Sequence, residues 1–391
     1  MRSQPFARRE FLGLVAAGGA AATGATVWPS LALGKGYMLE VNHQPADLET
    51  PLEQLNDAWL TRNEWFFVRS HMGPPRAPID AAAWRLGVWG TVNAPLQLSL
   101  RDLKHGFEQV SVSCVLQCAG NGRSLYTPKV PGAQWRYGAV GNAKWTGVRL
   151  ADVLKEADLA TDAKFLIIRG HDEPVLKATP KFVRGFPMDK AMDPYTILAY
   201  EMNGKPLPEL HGAPLRMIVP GWAGDHWMKW LHTIEVRNVG TEDDAGFWTA
   251  SAYRYPNNPG APGVAVPLDQ THRLSAMNVK SIITNPLDGR RLTSGSLAVE
   301  GVAFSGLPTI RSVEVSVDDG AWMSAQLGSE QAPYSWRRFS YKTNLTQGPH
   351  TIAARATDET GAVQPETAAW NPSGYINNAI MKVNINVGAA S

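Results

Sequence analysis

Residues 112–123 read VSCVLQCAGNGR, an apolar run that ends in a turn rich in glycine. The apolar and β-branched residues of Val112–Leu116 predict a buried strand. Ala119–Gly122 predicts a loop, because glycine lets the backbone approach a ligand closely and loops carry many functional side chains.

The chain has two cysteines, Cys114 and Cys118, and both lie in this stretch. An even number of cysteines in an oxidising compartment allows a disulfide. On a strand, however, two residues four positions apart are separated by about 13 Å, whereas a disulfide needs Cα atoms within about 7 Å. We therefore expect Cys114 to be a core cysteine. Cys118 begins the loop, where a thiolate could serve as a soft metal ligand, and spacing alone leaves a metal-binding and a structural role both open.

The segments around this stretch mix strands with short helices. Arg85–Gly90, Lys164–Arg169 and Leu215–Val219 have the composition of strands, and Leu150–Ala157 has the apolar spacing of a helix. The order lacks the regular alternation of a doubly wound sheet, so it predicts an α+β fold with a mixed α/β first domain over residues 33–270.

The last part of the chain has a different pattern. Val313–Val317 alternates apolar and polar residues with period two, and Asp318–Gly320 supplies a hairpin turn. His350–Ala356 and Lys382–Val387 repeat the alternation. Short strands separated by turns, with no cysteine among them, predict an immunoglobulin-like β-sandwich over residues 271–391.

The N-terminal segment, residues 1–32, is typical of an export signal. Arg8–Leu12 has the sequence RREFL and leads into a weakly apolar run of Gly, Ala, Val and Thr that ends near Val27. Adjacent arginines before such a run predict a twin-arginine signal, with cleavage after Ser30–Ala32 and a periplasmic mature protein. An ordinary secretory signal is the alternative. The run is too short for a comfortable membrane span, and we expect no span in the mature form.

The charge balance argues against some classes of partner. The whole chain has a formal net charge of +2, and Arg2, Arg8, Arg9 and Glu10 are the charged residues of the predicted signal. The remainder is therefore formally neutral. A neutral protein lacks the basic footprint that nucleic acid or an anionic membrane surface requires, so neither is expected as a partner.

Cationic residues recur near the aromatic and glycine-rich segments. Arg69 and His71 alternate on an extended segment, Arg123 follows Cys118 by five residues, and Arg216 and Lys229 flank a loop with the sequence PGWAGDH. An arginine donates two parallel hydrogen bonds that suit an oxyanion. Taken singly, each of these arginines is expected to form a surface or structural ion pair, and an anion site is indicated only where they converge.

Several motifs, in order along the chain, resemble those of the sulfite oxidase family of molybdenum enzymes. They are FVRSH at 67–71, LQCAGNGR at 116–123, Trp135 with WTGVRL at 145–150, AYEMNGKPLP at 199–208, HGAPLR at 211–216, KWL at 229–231 and WNPSGY at 370–375. The resemblance covers nearly the whole mature chain. It implies a molybdopterin domain of the sulfite-oxidase type followed by a dimerisation domain.

The resemblance implies a role for individual residues. Cys118 would be the protein ligand of molybdenum in a molybdenum–molybdopterin cofactor. The residues that would bind the cofactor are Phe67, Arg69, His71, Asp172, His211, Arg216 and Lys229. The residues that would form the catalytic anion pocket are Arg69, Arg123, Trp135 and Tyr253. One position departs from the family: Ser373 stands where animal sulfite oxidases carry an arginine of the sulfite clamp, so this pocket would have one cation fewer.

The function implied is that of a periplasmic molybdenum-dependent sulfite dehydrogenase. The sequence contains no Cys-x-x-Cys-His motif for covalent haem, so we expect the electrons to pass to a separate c-type cytochrome. The first alternative is a sulfane dehydrogenase subunit of a thiosulfate-oxidising complex, and a reductase acting on an oxidised sulfur or nitrogen compound is the next. A cofactor-free binding or assembly protein is a hypothesis from a different class. The resemblance allows a homodimer, a monomer or a heteromer with a haem subunit.

Overall fold

The computed structural model describes residues 38–388, with the exception of residues 44, 175 and 177. The predicted twin-arginine signal and its cleavage point lie outside the described residues. None of the helices within the described range is long and apolar enough to cross a membrane.

The first part of the chain is built from short strands and a few short helices. Its strands are β1 (Leu39–Asn42), β2 (Asp47–Glu49), β3 (Leu86–Gly90), β4 (Leu96–Leu98), β5 (Val110–Gln117), β6 (Val140–Arg149), β7 (Phe165–Gly170), β8 (Val183–Pro187), β9 (Ile197–Met202), β10 (Lys205–Pro206), β11 (Arg216–Ile218), β12 (Leu231–Arg237), β13 (Arg254–Pro256) and β14 (Thr271–Arg273). Its α-helices are α1 (Leu100–Gly106), α2 (Leu150–Glu156) and α3 (Met188–Ala191). Short 3-10 segments lie at Leu52–Leu55, Asn63–Trp65, Arg123–Leu125, Glu209–His211, Gly224–His226, Glu242–Ala245 and Leu268–Gln270, and Trp248–Ala252 forms a π-helical turn.

Two five-stranded sheets organise this part. One has the strand order β10-β9-β6-β5, with β11 also pairing with β9, and all of its pairs are antiparallel. The other has the order β4-β3-β12-β7-β8, in which β12 is parallel to β3. The predicted strands and the predicted helix at residue 150 are therefore confirmed, with ends that differ by one or two residues. The mixed α/β architecture is also as predicted.

The central strands are buried because their sequences are apolar on both faces. Cys114 on β5 pairs with Ala143 on β6, and both are fully buried. On β6, Gly147 lies at a register shift against β9, and a Cβ at this position would lie 1.9 Å from the carbonyl oxygen of Leu198. Only glycine fits there, since the two backbones approach too closely for a side chain.

The last part of the chain forms a two-layered β-sandwich. Its strands are β15 (Lys280–Asn285), β16 (Arg291–Leu292), β17 (Ser296–Phe304), β18 (Ile310–Val317), β19 (Met323–Ser324), β20 (Gln326–Leu327), β21 (Arg337–Asn344), β22 (Gly348–Asp358) and β23 (Met381–Val387). One sheet has the order β15-β17-β21-β20 and the other β16-β23-β22-β18-β19. The predicted turn after β18 has positive φ angles of 53° at both Asp318 and Asp319, which is the conformation of a type I′ hairpin turn.

The sandwich packs directly against the strand that carries the cysteines. A single apolar cluster joins Val115 and Ala119 of the first part to Ile282 and Trp336 of the sandwich. The backbone N–H of Ile376 donates to the carbonyl of Ala119 at 2.7 Å. The loop after β5 therefore lies at the junction of the two parts and is supported from both.

Candidate functional site

Cys118 lies immediately after β5, at the first position of the loop. Its N–H donates to the carbonyl of Ala139 at 2.9 Å, and its carbonyl accepts from the N–H of Asn121 at 2.9 Å. Gly122 completes the turn with a φ of 89°, in the left-handed region that favours glycine. Both cysteines are free, and Cys114 is buried whereas Cys118 is only partly buried. The predicted core role of Cys114 is confirmed.

Cys118 faces a cavity that is partly open to solvent. The predicted site residues that line this cavity are Phe67, Arg69, His71, Cys118, Asp172, His211, Arg216, Lys229 and Tyr253. They come from loops and strand ends that span most of the first part of the chain. The fold therefore brings together residues that the sequence analysis selected from separate motifs.

Arg69, His71 and Tyr253 form a chain of contacts along one wall of the cavity. Arg69 donates through Nη1 to both carboxylate oxygens of Asp47 at 2.9 Å, and its Nη2 lies 2.8 Å from His71 Nδ1. His71 Nε2 is in hydrogen-bond contact with the Tyr253 hydroxyl. Burial and then the neighbouring Arg69 charge hold the pKa of His71 well below its usual value, so the ring is neutral. Since Nδ1 accepts from arginine, Nε2 carries the hydrogen and donates to Tyr253.

Arg123 and Trp135 lie near the cavity but are not among the residues that line it. The buried Arg123 donates from Nε to the Ser373 carbonyl and from Nη1 to the Ala133 carbonyl, both at 2.9 Å. Its guanidinium lies 5.4 Å from the ring centroid of Tyr375. Trp135 is fully buried and contacts Phe67 edge-on. Arg123 was predicted to form the anion pocket. In this geometry it acts on the cavity through its charge and is not part of the lining.

The other end of the cavity is rich in buried cations. Arg216 donates from Nη1 to the His211 carbonyl at 2.8 Å, and Lys229 donates from Nζ to the Leu210 carbonyl at 2.9 Å. Burial lowers the pKa of Arg216 to about 9 and that of Lys229 to about 7. Burial also raises the pKa of Asp172 to about 6. Each shift shows that the charged form is poorly solvated at this end of the cavity.

Unsatisfied polar atoms at this end show what kind of ligand fits. Within the described residues, Arg216 Nε and Asp172 Oδ1 are buried without a hydrogen-bond partner, and neither Arg216 nor Lys229 forms an ion pair with a carboxylate. A phosphate would satisfy the two cations, and a ring N–H would satisfy the carboxylate oxygen. Residues 38–388, apart from the three exceptions above, contain no cluster of three His, Cys, Asp or Glu side chains that could hold a metal ion alone. The Cys118 thiol, the two cations and the unpartnered Asp172 oxygen line one cavity, and together they fit a molybdopterin.

Three further residues near the cavity were not found by sequence analysis. Asp47 is fully buried and fixes Arg69, and its spacing of two from the buried Glu49 on β2 is the one signal that could have indicated it. Arg184 and Asp225 form a second buried ion pair, with Arg184 Nη2 and Asp225 Oδ2 at 2.8 Å. They lie on β8 and in a 3-10 turn, and no local pattern in the sequence links them.

Two family models match the chain, and the ranges they match correspond to the two parts of the fold. Residues 71–248 match the model described as the oxidoreductase molybdopterin binding domain. Residues 271–388 match the model described as the Mo-co oxidoreductase dimerisation domain.

Individual proteins are similar over most of the chain. Mitochondrial sulfite oxidase from Homo sapiens is 37% identical over 369 residues, which cover 89% of this chain and 66% of that protein. Sulfite oxidase from Gallus gallus is 32% identical over 359 residues, which cover 87% of this chain and 76% of that protein. The chain thus spans just under two thirds of the human protein. Among solved structures, the sulfane dehydrogenase SoxCD from Paracoccus pantotrophus matches with a TM-score of 0.74 and 26% identity, covering 93% of this chain and 92% of that one.

Proposed function

Because the chain belongs to the sulfite oxidase family of molybdopterin oxidoreductases, we propose that it is a periplasmic sulfite dehydrogenase. The proposed reaction converts sulfite and water to sulfate, two protons and two electrons, and the electrons pass to a c-type cytochrome. The observation that carries the proposal is a single cavity. The Cys118 thiol, the wall that contains Arg69 and the cation-rich end at Arg216 and Lys229 all line it.

The cation-rich end of the cavity is suited to hold the cofactor. Molybdopterin, when bound, supplies two-electron redox chemistry and oxygen-atom transfer at its molybdenum. Arg216, Lys229 and His211 would bind its phosphate and pterin through charge-assisted hydrogen bonds. The unpartnered Oδ1 of Asp172 would accept from the pterin ring. The Cys118 thiolate would be the protein ligand of the metal, since soft sulfur ligands suit a redox-active metal.

The wall formed by Arg69, His71 and Tyr253 is suited to bind an oxyanion. The buried Asp47 carboxylate holds the Arg69 guanidinium in place, so its charge is oriented before substrate arrives. Burial is the largest cause that keeps the pKa of Tyr253 well above its usual value, and its hydroxyl therefore stays protonated. Since Tyr253 accepts from His71, its own hydrogen remains available to donate to a substrate oxygen.

A sulfane dehydrogenase subunit of a thiosulfate-oxidising complex is the second candidate. The observation that favours it is the structural similarity to SoxCD, which extends over 93% of the chain. We favour sulfite as the substrate because the identity to sulfite oxidases, 37% for the human protein, exceeds the 26% to SoxCD. We also propose that the sandwich pairs two copies of the chain, since it matches a dimerisation domain.

The proposal is tested with protein purified from the periplasm of its host. We expect about one molybdenum per chain by elemental analysis, and steady-state oxidation of sulfite with ferricyanide and then with cytochrome c. A persulfide carried on a cysteine of a partner protein is the competing substrate in a parallel assay. Turnover with that substrate and none with sulfite would refute the sulfite proposal, and a protein without molybdenum would refute both candidates. Light scattering should give twice the mass of one chain for a homodimer.

A further inference from the structure

A buried ion pair lies directly behind the anion wall of the cavity. Arg184 and Asp225 have fully buried side chains, and Arg184 Nη2 donates to Asp225 Oδ2 at 2.8 Å. Arg184 Nη1 also donates to the carbonyl of Trp248, and its guanidinium lies 5.1 Å from the ring centroid of Tyr253. The pair is therefore fixed against the same tyrosine that faces the proposed substrate.

His226 completes the arrangement and is not among the residues that line the cavity. Its Nε2 lies 3.0 Å from Arg184 Nη2, and its Nδ1 lies 3.2 Å from Asp225 Oδ2. Burial is the main cause that lowers the pKa of His226, so the ring is neutral and Nε2 can accept from the arginine while Nδ1 carries the hydrogen. Asp225 Oδ2 therefore accepts from Arg184, and the His226 ring contacts the same Arg184 nitrogen, while His226 Nδ1 forms no hydrogen bond among the described residues.

The second oxygen of this carboxylate has no such partner. Asp225 lines the cavity, and its Oδ1 is buried without a hydrogen-bond partner among the described residues. An unsatisfied buried carboxylate oxygen is costly, and it is unexpected in a cavity suited to an anion. Its neighbour Gly224 lies against Leu116 and Gln117 at the end of β5, and Asp225 and Cys118 line the same cavity.

A fixed carboxylate beside an oxyanion site distinguishes anions by charge and by hydrogen content. It accepts a hydrogen bond from a monoanion that carries a hydrogen, such as hydrogensulfite, and it repels a dianion without one, such as sulfate. Like charges placed together in a site of low dielectric are a strong source of discrimination. Arg184 pairs with Asp225 Oδ2 and reduces this effect, whereas Arg69 is already paired with Asp47, so the cations around the carboxylate do not cancel it completely.

We propose that Asp225, held by Arg184, which His226 contacts in turn, determines the specificity of the anion pocket by favouring the hydrogen-bearing substrate and repelling the dianionic product. This inference rests on the proposed sulfite chemistry. In the same terms, Arg184 and His226 are positioning residues, because they act only through Asp225.

The test measures anion binding to the full-length, cofactor-loaded protein and its Asp225→Asn variant. Sulfate and nitrate are titrated separately by isothermal calorimetry at pH 8 and constant ionic strength. We expect sulfate to bind the variant at least about tenfold more tightly than wild type, the lower end of the effect of one charged contact. Nitrate affinity should change much less, because a monoanion is repelled less. An unchanged ratio of sulfate to nitrate affinity would overturn the inference.

Two further variants separate selectivity from stability. Glu235→Gln removes a buried carboxylate that pairs with Arg169 and Arg237 outside the cavity, and it should lower stability without changing the ratio. If Asp225→Asn fails to fold, the double variant Arg184→Met with Asp225→Asn leaves no unpaired buried charge. Its ratio should change in the same direction but by less, because the Arg184 charge is removed as well. Turnover of sulfite is measured in parallel. A wild-type protein that does not oxidise sulfite refutes the proposed function, whereas an unchanged ratio refutes this inference.

Discussion

Replacing Arg69 by glutamine has two separable consequences in this structure. Arg69 donates two hydrogen bonds to Asp47, whose side chain is fully buried, whereas the Arg69 side chain is 21% exposed. Removing one partner of a buried ion pair leaves the other charge unpaired and costs about 3–5 kcal/mol. Because Arg69 is partly exposed, we expect a loss near the lower end, about 3 kcal/mol of unfolding free energy.

The second consequence concerns substrate binding. A charge-assisted hydrogen bond in a closed pocket contributes about 1.5–3 kcal/mol, which corresponds to a decrease of about 10–150-fold in kcat/KM for sulfite. The double variant Asp47→Asn with Arg69→Gln separates the two effects, because two neutral amides replace the ion pair. It should regain most of the stability and keep the low kcat/KM.

The measurements are chemical denaturation followed by circular dichroism and steady-state kinetics normalised to molybdenum content. Arg136→Gln is a matched control, since Arg136 pairs with the buried Glu49 on the same short strand as Asp47 but is 64% exposed. Because Arg136 is largely exposed, its pair with Glu49 should contribute less than about 1 kcal/mol, and kcat/KM should stay unchanged. If the double variant recovered wild-type kcat/KM along with its stability, Arg69 would act only through structure, and the substrate-binding reasoning would be refuted.

The remaining predictions concern the metal ligand, the sandwich and the export signal. Cys118→Ser should abolish turnover in a folded protein, because a hydroxyl replaces the soft thiolate, while Cys114→Ser should cost only modest stability; reversed phenotypes in activity assays and melting curves would contradict the ligand assignment. Ending the chain before Asn278 should abolish both dimerisation and activity, since the support of the cysteine loop is removed, and an active monomer in light scattering would show otherwise. Arg8→Lys with Arg9→Lys should keep active enzyme in the cytoplasm; fractionation that finds normal periplasmic activity would indicate the general secretory route.

The local features of the site were predictable from the sequence because each depends on a short range of residues. An apolar strand that runs into a glycine-rich turn, as it does at Cys118, indicates a buried strand followed by a loop in any protein. Arg69 and His71 are two positions apart on an extended segment, so their proximity follows from the geometry of a strand.

The partners of these residues were not predictable, because tertiary packing selects them. Asp47 meets Arg69 across 22 positions of the chain, and Arg184 meets Asp225 across 41. The ring of Tyr253 stacks on Tyr375 of the last part of the chain, with centroids 5.3 Å apart. A buried charge needs a partner, but the sequence does not show which residue supplies it. These pairs can therefore be identified only in the folded structure.

The hydrogen bond from the Ile376 N–H to the Ala119 carbonyl joins two residues that are synthesised at different times. Cys118 leaves the ribosome about 250 residues before its supporting segment, which at about 5–20 residues per second corresponds to roughly 10–50 s. During that interval the thiol has no finished pocket around it, and a cofactor would meet a loop without its outer wall. A reducing compartment keeps such a waiting thiol unoxidised. Cofactor insertion is therefore expected to follow the release of the completed chain, in the compartment where the chain is made.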